Sequence, residues 1–470
     1  MLLKYFYNEK LAHASYLVGC QQTGEAIVVD PGRRVTPYLK AARKAGVRII
    51  AVVETHIHAD FVSGARQLAA QVRAKLYLSD EGGAEWQYGY VGDYAHELVG
   101  EGDSFMIGNL KFDVLHVPGH TPEHIALLLT DTAAADLPMG IFTGDFLFAG
   151  SVGRPDLLEK VVGQARTAVL GAQQMYRSLQ RVRHLPDYLQ VWPAHGAGSA
   201  CGKGLGAIPS TTLGYEKLFN QAFTLLNEEA FVEWLLADQP APPHYFADMK
   251  RINRVGPKVV GERPLPLACR LADLKEKLGE VTIVDTRSPG QFARAHLPGS
   301  INIPYGDSFL NWAGWLIKGD ESYYLVTDEA GLEEIVAELW SIGLEGLAGY
   351  WPLEVIADWE RGGKVAESYE LVTATELSAQ LKAGMVTVLD VRNADEWQTG
   401  TIPGAVTVHL GMLPEKLDEI PLDKPIVVHC ETGFRSAIGV SVLQAAGVKE
   451  VANLQGGIVG WRSAGMGVAA

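Results

Sequence analysis

Six side chains in the first two hundred residues could together hold a metal ion. THIHAD (55–60) carries His56, His58 and Asp60 on one short turn, VPGHT (117–121) carries His120, TGD (143–145) carries Asp145, and PAHG (193–196) carries His195. Each motif follows a strand-like run, and strand ends are where α/β layers collect their ligands. One histidine is more often a core or surface residue. Four such motifs in chain order imply a metal site built from imidazole and carboxylate. A second chemistry stands near the end of the chain. PIVVHCETGFRSAIGVSVLQAAG (425–447) reads as a buried strand, a six-residue loop and a helix. The loop comprises Cys430, Glu431, Thr432, Gly433, Phe434 and Arg435. Its successive N–H groups and the following helix N-terminus form a positive cradle that favours a thiolate or an anionic persulfide.

These side chains need a scaffold, and the sequence supplies three. The first half alternates β-rich runs such as EAIVVD (25–30) and RIIAVVETH (48–56) with helix-like stretches such as 59–72, an α/β pattern. A Pro-rich stretch, 239–257, breaks the periodicity and is expected to be a linker, with a boundary near 260. Beyond it the chain repeats. TIVDTRSPGQFARAHLPGSINIP (282–304) and TVLDVRNADEWQTGTIPGAVTVH (387–409) pair Asp285 with Asp390, Arg287 with Arg392 and Gly299 with Gly404, at an offset of 105. The expected domains are therefore 1–260, 261–365 and 366–470, the last two being small parallel-sheet modules.

Composition narrows the partners. At 470 residues, 47% hydrophobic and 20% charged, the chain can bury several cores. A net charge of -15 argues against nucleic acid and anionic membranes as partners. The N-terminal stretch lacks a signal-peptide core and no segment approaches a membrane span, so a cytoplasmic enzyme acting on small molecules is expected. Cys20, Cys201, Cys269 and Cys430 are too scattered for a disulfide framework and read as thiols. PAHGAGSACGKG (193–204) fails as a phosphate-binding P-loop, because Ala197 and Gly204 stand where Gly and Ser or Thr are required.

From residue 1 to about 235 the motifs resemble the metallo-β-lactamase superfamily, which implies an αββα sandwich. Hydrolases of that superfamily carry HxHxDH, whose last His helps hold a second metal. Phe61 occupies that position here and removes a donor. What remains resembles the iron-dependent persulfide dioxygenases. That resemblance implies one Fe(II) per chain at His56, His120 and Asp145, a facial triad with open positions, while His58, Asp60 and His195 orient ligands or bound water. GSVGRPDL (150–157) matches the dioxygenases' G-R-x-D segment, making Arg154 and Asp156 candidates for positioning the substrate or the site, against the plainer reading of a structural loop salt bridge. Cys201, six residues after His195, is a candidate for carrying sulfur beside the metal.

The Cys430 loop resembles the rhodanese C-x4-R loop across 366–470. Related phosphatases use a longer C-x5-R loop with room for phosphate, so the shorter loop is expected to take sulfane sulfur. Thr401 departs from the His that many rhodaneses place before Ile-Pro-Gly. In the middle module SYYLVTD (322–328) puts Asp328 where Cys430 falls, and a degenerate copy serving as spacer or docking surface is expected.

The domain order resembles persulfide dioxygenase/rhodanese fusions. It implies oxidation of a low-molecular-weight thiol persulfide, of the glutathione, coenzyme A or bacillithiol type, by O2 to sulfite and thiol. Sulfur exchange among persulfide, sulfite and thiosulfate would follow, and a homo-oligomer is expected. The alternatives are a zinc thioester hydrolase of the glyoxalase-II kind with a sulfur-carrier tail, and a sulfur-carrier protein with a vestigial metal domain.

Overall fold

Alternation of side chains along the strand His13–Cys20 assigns its two faces to different cores. Ala14, Tyr16, Val18 and Cys20 enter one buried cluster and Leu17 another. The same division recurs along Leu110–His116, where Leu110, Phe112 and Val114 face the first cluster and Leu115 packs against a third. The computed structural model describes residues 1–157, 159, 167–239, 241–261 and 265–469. Pro240 and residues 262–264, at the expected linker and boundary, lie outside the described residues.

Two units are compact by themselves: Met1–Arg263 with Trp340–Gly343, and Pro264–Leu339 with Leu344–Ala470. In the first, two six-stranded sheets face each other through Tyr16, Ile27, Phe105, Phe112, Phe142 and Trp192. Helices Thr36–Ala45 and Ala65–Val72 cover one outer face, and Thr167–Val182 and Glu228–Leu236 cover the other. This is the expected αββα sandwich.

Two sequence readings are corrected here. The stretch 59–72 is helical only over Ala65–Val72. Residues 54–64 form an irregular turn because their backbone groups are engaged elsewhere: Thr55 N donates to Asp30, Ile57 N to Glu123 and Gly64 N to Pro31 O. Gly64 is required there, since a Cβ would lie 2.3 Å from the Gly32 carbonyl. The Pro-rich stretch is likewise more than a linker, because it contains the helix Tyr245–Val255 packed on the same unit. From that helix Asn253 donates to the carbonyls of His58 (2.8 Å) and Phe61 (2.7 Å) and accepts from Ser63 N (2.9 Å). Arg66 and Gln67 bind the backbone of residues 256–260 that follows.

The second unit holds two parallel sheets. One has the order Ile301–Asn302, Thr282–Asp285, Tyr323–Val326, Leu347–Trp351. The other runs Glu370–Val372, Val451–Leu454, Ile426–His429, Thr387–Asp390, Val406–Thr407. The four-stranded sheet keeps only a bridge between Ala268 and Tyr350 where the other has its edge strand. Register corrects the expected correspondence between modules. Asp285 lies opposite Val326 as Asp390 lies opposite His429, so Thr327, not Asp328, takes the place of Cys430. Asp328 matches Glu431 and accepts a hydrogen bond from Ala330 N at the start of a short helical turn.

The helix Phe434–Ala445 is buried from Ser436 to Leu443, all the way round. An all-apolar surface needs partners on every side. Its own sheet provides one, and the middle module provides another, with Asn302 N donating to Ser441 Oγ at 2.8 Å. No helix among the described residues is long and apolar enough to cross a membrane.

Asn253→Ala removes three hydrogen bonds and leaves two buried carbonyls short of a donor. The expected cost is about 2–4 kcal/mol. It should register as a lower melting temperature for the first unit and weaker metal retention in dialysis against a chelator. An unchanged melting temperature would show that the helix does not hold the turn.

Candidate metal centre and sulfur-transfer loop

Four strands of the first unit end at one place and deliver His56, His120, Asp145 and His195, each at most 2% exposed. The ring nitrogens that face away from the centre fix the ones that face it. Thr55 Oγ1 donates to Asp30 Oδ2 (2.9 Å) and so accepts from His56 Nδ1 at 3.0 Å. The Arg154 carbonyl accepts from His120 Nδ1 (2.9 Å) and the Ala12 carbonyl from His195 Nδ1 (3.0 Å). Burial holds the His56 and His120 imidazoles below their ordinary range, so their Nε2 atoms carry lone pairs. Together with His195 Nε2 they point at Asp145: His56 at 3.8 Å, His120 at 3.5 Å and His195 at 3.5 Å. His56 Nε2, His195 Nε2 and both Asp145 oxygens have no hydrogen-bond partner.

His56, His120 and Asp145 offer donor atoms within 4.8 Å of one another, and Asp60, His195 and Cys201 form a second such group. Unpartnered, buried and convergent, these donors fit a metal ion. The second group qualifies the expectation drawn from Phe61. Its ring replaces one donor and packs on His13 (3.8 Å between centroids) and His58 (4.4 Å), yet three other donors stay together.

His58 belongs to neither group. Its Nε2 lies 3.1 Å from Glu54 and 3.3 Å from Asp30, and although burial alone would depress the imidazole, these two carboxylates hold it well above the usual range. Asp60 is pressed the other way. Burial would raise it, but His195 at 3.2 Å brings it down to about 2. Cys201 is 1% exposed, and burial together with Asp60 and Asp145 pushes its thiol up, so it stays protonated. Arg154 is fully buried, forks onto Asp156 at 2.8 and 2.6 Å, and reaches the Ala200 carbonyl at 3.3 Å. That geometry makes the Arg154–Asp156 pair a brace for His120 and the 200–201 backbone.

Several residues of the centre escaped the sequence reading. His124 accepts from Asp145 N at 3.0 Å and stacks on His56 at 4.7 Å, while Glu123 accepts from Ile57 N at 2.8 Å and is pushed by burial up to about 7. Tyr245 faces the Asp60–Cys201 group, and burial with those two acids raises its phenol. Only His124 left a signal, four residues after His120.

In the second unit Cys430 is 1% exposed, and its Sγ accepts from Gly433 N at 3.1 Å and Ser436 Oγ at 3.4 Å. Gly433 sits at φ 101°, a conformation that suits glycine, and turns the loop into the helix. Thr432 is exposed, and Glu431, Phe434 and Arg435 are half-buried at the mouth. A Cβ on Gly457 would lie 2.4 Å from the Cys430 carbonyl, which instead accepts from Ile458 N at 2.8 Å. Arg435 forks onto Glu396 with both bonds at 2.6 Å. Asp390 is engaged by Arg392, which also reaches Glu431 at 3.4 Å.

Comparison with known proteins agrees with this division. The model of the metallo-beta-lactamase superfamily matches residues 9–195, and the rhodanese-like domain matches 270–353 and 373–464. The crystal structure of a metallo-beta-lactamase from Staphylococcus aureus subsp. aureus COL is similar with 42% identity and a TM-score of 0.69, covering 75% of this chain and 98% of that one. The hydroxyacylglutathione hydrolase of Rhodospirillum rubrum is 33% identical over 186 residues, 38% of this chain and 60% of that protein. The mitochondrial persulfide dioxygenase ETHE1 of Mus musculus is 27% identical over 232 residues, 49% of this chain and 78% of that protein. The chain thus spans about three fifths of the hydrolases it matches.

Thr55→Val preserves shape but deletes the acceptor that sets the His56 tautomer. Metal affinity, measured by chelator competition, should fall by roughly tenfold or more. Wild-type affinity in this variant would mean that the Thr55 hydroxyl does not orient the ligand.

Proposed function

From the premise that the chain belongs to the metallo-β-lactamase superfamily and carries two rhodanese-like domains in series, we propose an iron-dependent persulfide dioxygenase coupled to sulfur transfer. The first unit oxidises a low-molecular-weight thiol persulfide, and the Cys430 module moves sulfane sulfur among persulfide, sulfite and thiosulfate. The observation that carries the reading is the cluster of His56, His120 and Asp145, in which His56 Nε2 and both Asp145 oxygens have no hydrogen-bond partner, with Phe61 standing where a further metal ligand would be. Similarity to a persulfide dioxygenase over 78% of its length adds support.

His56, His120 and Asp145 would hold the iron, and iron(II) bound there supplies the redox centre at which O2 oxidises the terminal sulfur. The overall reaction balances as persulfide plus O2 plus water giving thiol, sulfite and two protons. Thr55 and the carbonyl of Arg154 keep both imidazole lone pairs turned inward. Burial of all three ligands limits water around the charge that develops. At the second site, the Gly433 N–H and Ser436 hydroxyl stabilise negative charge on Cys430 sulfur. Sulfite then attacks the outer sulfur of a Cys430 persulfide, the S–S bond breaks, thiosulfate leaves, and the thiolate returns to that cradle.

A second reading, a thioester hydrolase, draws on the 33% identity to a hydroxyacylglutathione hydrolase and on Asp60, His195 and Cys201 as a place for a second ion. Metal analysis combined with oxygen uptake on a panel of thiol persulfides separates the two. About one iron per chain and persulfide-dependent oxygen uptake are expected. Two zinc ions per chain in protein that cleaves thioesters and ignores persulfides would replace this reading with the other. Asp145→Ala should lose iron and oxygen uptake together, since it removes the only anionic ligand of the triad.

Cys430→Ser should abolish transfer from thiosulfate and leave oxygen uptake intact, because the two sites lie in different units. Its products should shift from thiosulfate toward sulfite. Equal sulfite-to-thiosulfate ratios from the variant and the wild type, corrected for the uncatalysed reaction, would show that the two sites do not act in sequence.

A further inference from the structure

Arg435 closes the Cys430 loop, and it is already occupied. Both of its terminal nitrogens lie 2.6 Å from the Glu396 carboxylate, in the parallel two-bond geometry that also suits an incoming oxyanion. Burial alone would lower the guanidinium, but Glu396 first and Cys430 after it hold it above its ordinary range. Glu396 has a second role. It is the third residue of the helix Ala394–Gln398 and accepts from Asn393 N at 3.0 Å, capping the helix.

The middle module shows which of these roles needs the charge. At the same helical position it carries Gln291, which accepts from Ser288 N at 3.2 Å and caps its helix equally well. The capping role is therefore met by an uncharged amide. Sheet register places Thr327 at the Cys430 position, and counting on along the chain places buried Leu332 at the Arg435 position. The cysteine, the arginine and the carboxylate are thus absent together from one copy and present together in the other. Within one chain, the negative charge of Glu396 goes with Arg435 and not with the helix.

We propose that Glu396 is a specificity-determining residue of the sulfur-transfer site: by holding the Arg435 fork, it makes a donor's anionic group compete with a resident carboxylate and so disfavours dianionic donors. The inference rests on the reading of the Cys430 loop as a sulfur-transfer site and names the donor class that it prefers. Remaining charges at the mouth do not offset the effect. Arg392 is shared between Asp390 and Glu431, and Asp390 lies beside the buried His429. The step concerned is attack of Cys430 thiolate on the outer sulfur of a thiosulfate or thiosulfonate. The S–S bond breaks, sulfite or sulfinate leaves with the electron pair, and Cys430 keeps the sulfur as a persulfide anion. Thiosulfate brings two negative charges to this site and an organic thiosulfonate brings one.

Steady-state transfer to cyanide is measured with thiosulfate and with methanethiosulfonate, using the full chain as wild type, Glu396→Gln, Glu396→Asp and Cys430→Ser. Gln291 is the internal precedent that the fold accepts the amide. In Glu396→Gln the KM for thiosulfate should fall by roughly tenfold and that for methanethiosulfonate by about threefold, because doubling the ligand charge doubles the interaction energy and squares the ratio. Glu396→Asp keeps the charge and should keep the wild-type preference between donors. Equal changes for both donors, or a rise in KM with thiosulfate, would overturn the proposal and leave Glu396 as a brace that merely orients Arg435. Undiminished transfer by Cys430→Ser would instead sink the sulfur-transfer reading itself, a result that the Glu396 variants cannot mimic.

Discussion

A carboxylate with no hydrogen-bond donor, wholly buried, is among the costliest groups a protein can carry, at several kcal/mol even after relaxation. Asp145 is such a group, and the lone pairs of His56 and His120 are turned on it rather than their N–H bonds. Negative charge faces electron pairs, and the arrangement is satisfied only when a cation lies among them. Much of the surrounding structure keeps those donors from relaxing. Thr55, the Arg154 carbonyl and the Ala12 carbonyl hold the rings, His124 receives the Asp145 amide, and Asn253 ties the turn that bears His56. The sandwich positions four strand ends, and the irregular segments around them supply the restraint.

The parts legible in the sequence were those with a period or a repeated motif. Strand-end histidines and aspartates could be found because an apolar run announces each strand, and the paired D-x-R segments revealed two modules. What stayed hidden depends on contacts between distant segments. Asn253 stands in a stretch whose prolines suggest a linker, and nothing near it in sequence says that its amide reads three backbone groups around His58 and Phe61. Glu123 and Tyr245 are ordinary residues until folding brings them to Ile57 and to Asp60. The misplaced partner of Cys430 has a similar cause. The connection from Asp285 to Val326 is two residues longer than that from Asp390 to His429, and only strand register discloses where the extra length is absorbed.

The two modules illustrate how one scaffold keeps structure while shedding chemistry. Asp285 still grips Arg287 as Asp390 grips Arg392, and both helices keep their capping boxes. Apart from an edge strand reduced to a bridge, what the middle copy lacks lies in the loop and its guard. What it retains covers the helix Phe434–Ala445, whose far side would otherwise leave apolar surface in water.

The tie made by Asn253 also has a consequence for the order of biosynthesis. Its hydrogen bonds to the turn span 190 to 195 positions along the chain. At a synthesis rate of ~5–20 residues per second, roughly ten to forty seconds separate the emergence of His58 from that of Asn253. Throughout that interval the nascent polypeptide has the His56–His58 turn but not the clasp that steadies it. Completion of the centre is thereby deferred until nearly the whole first unit has left the ribosome.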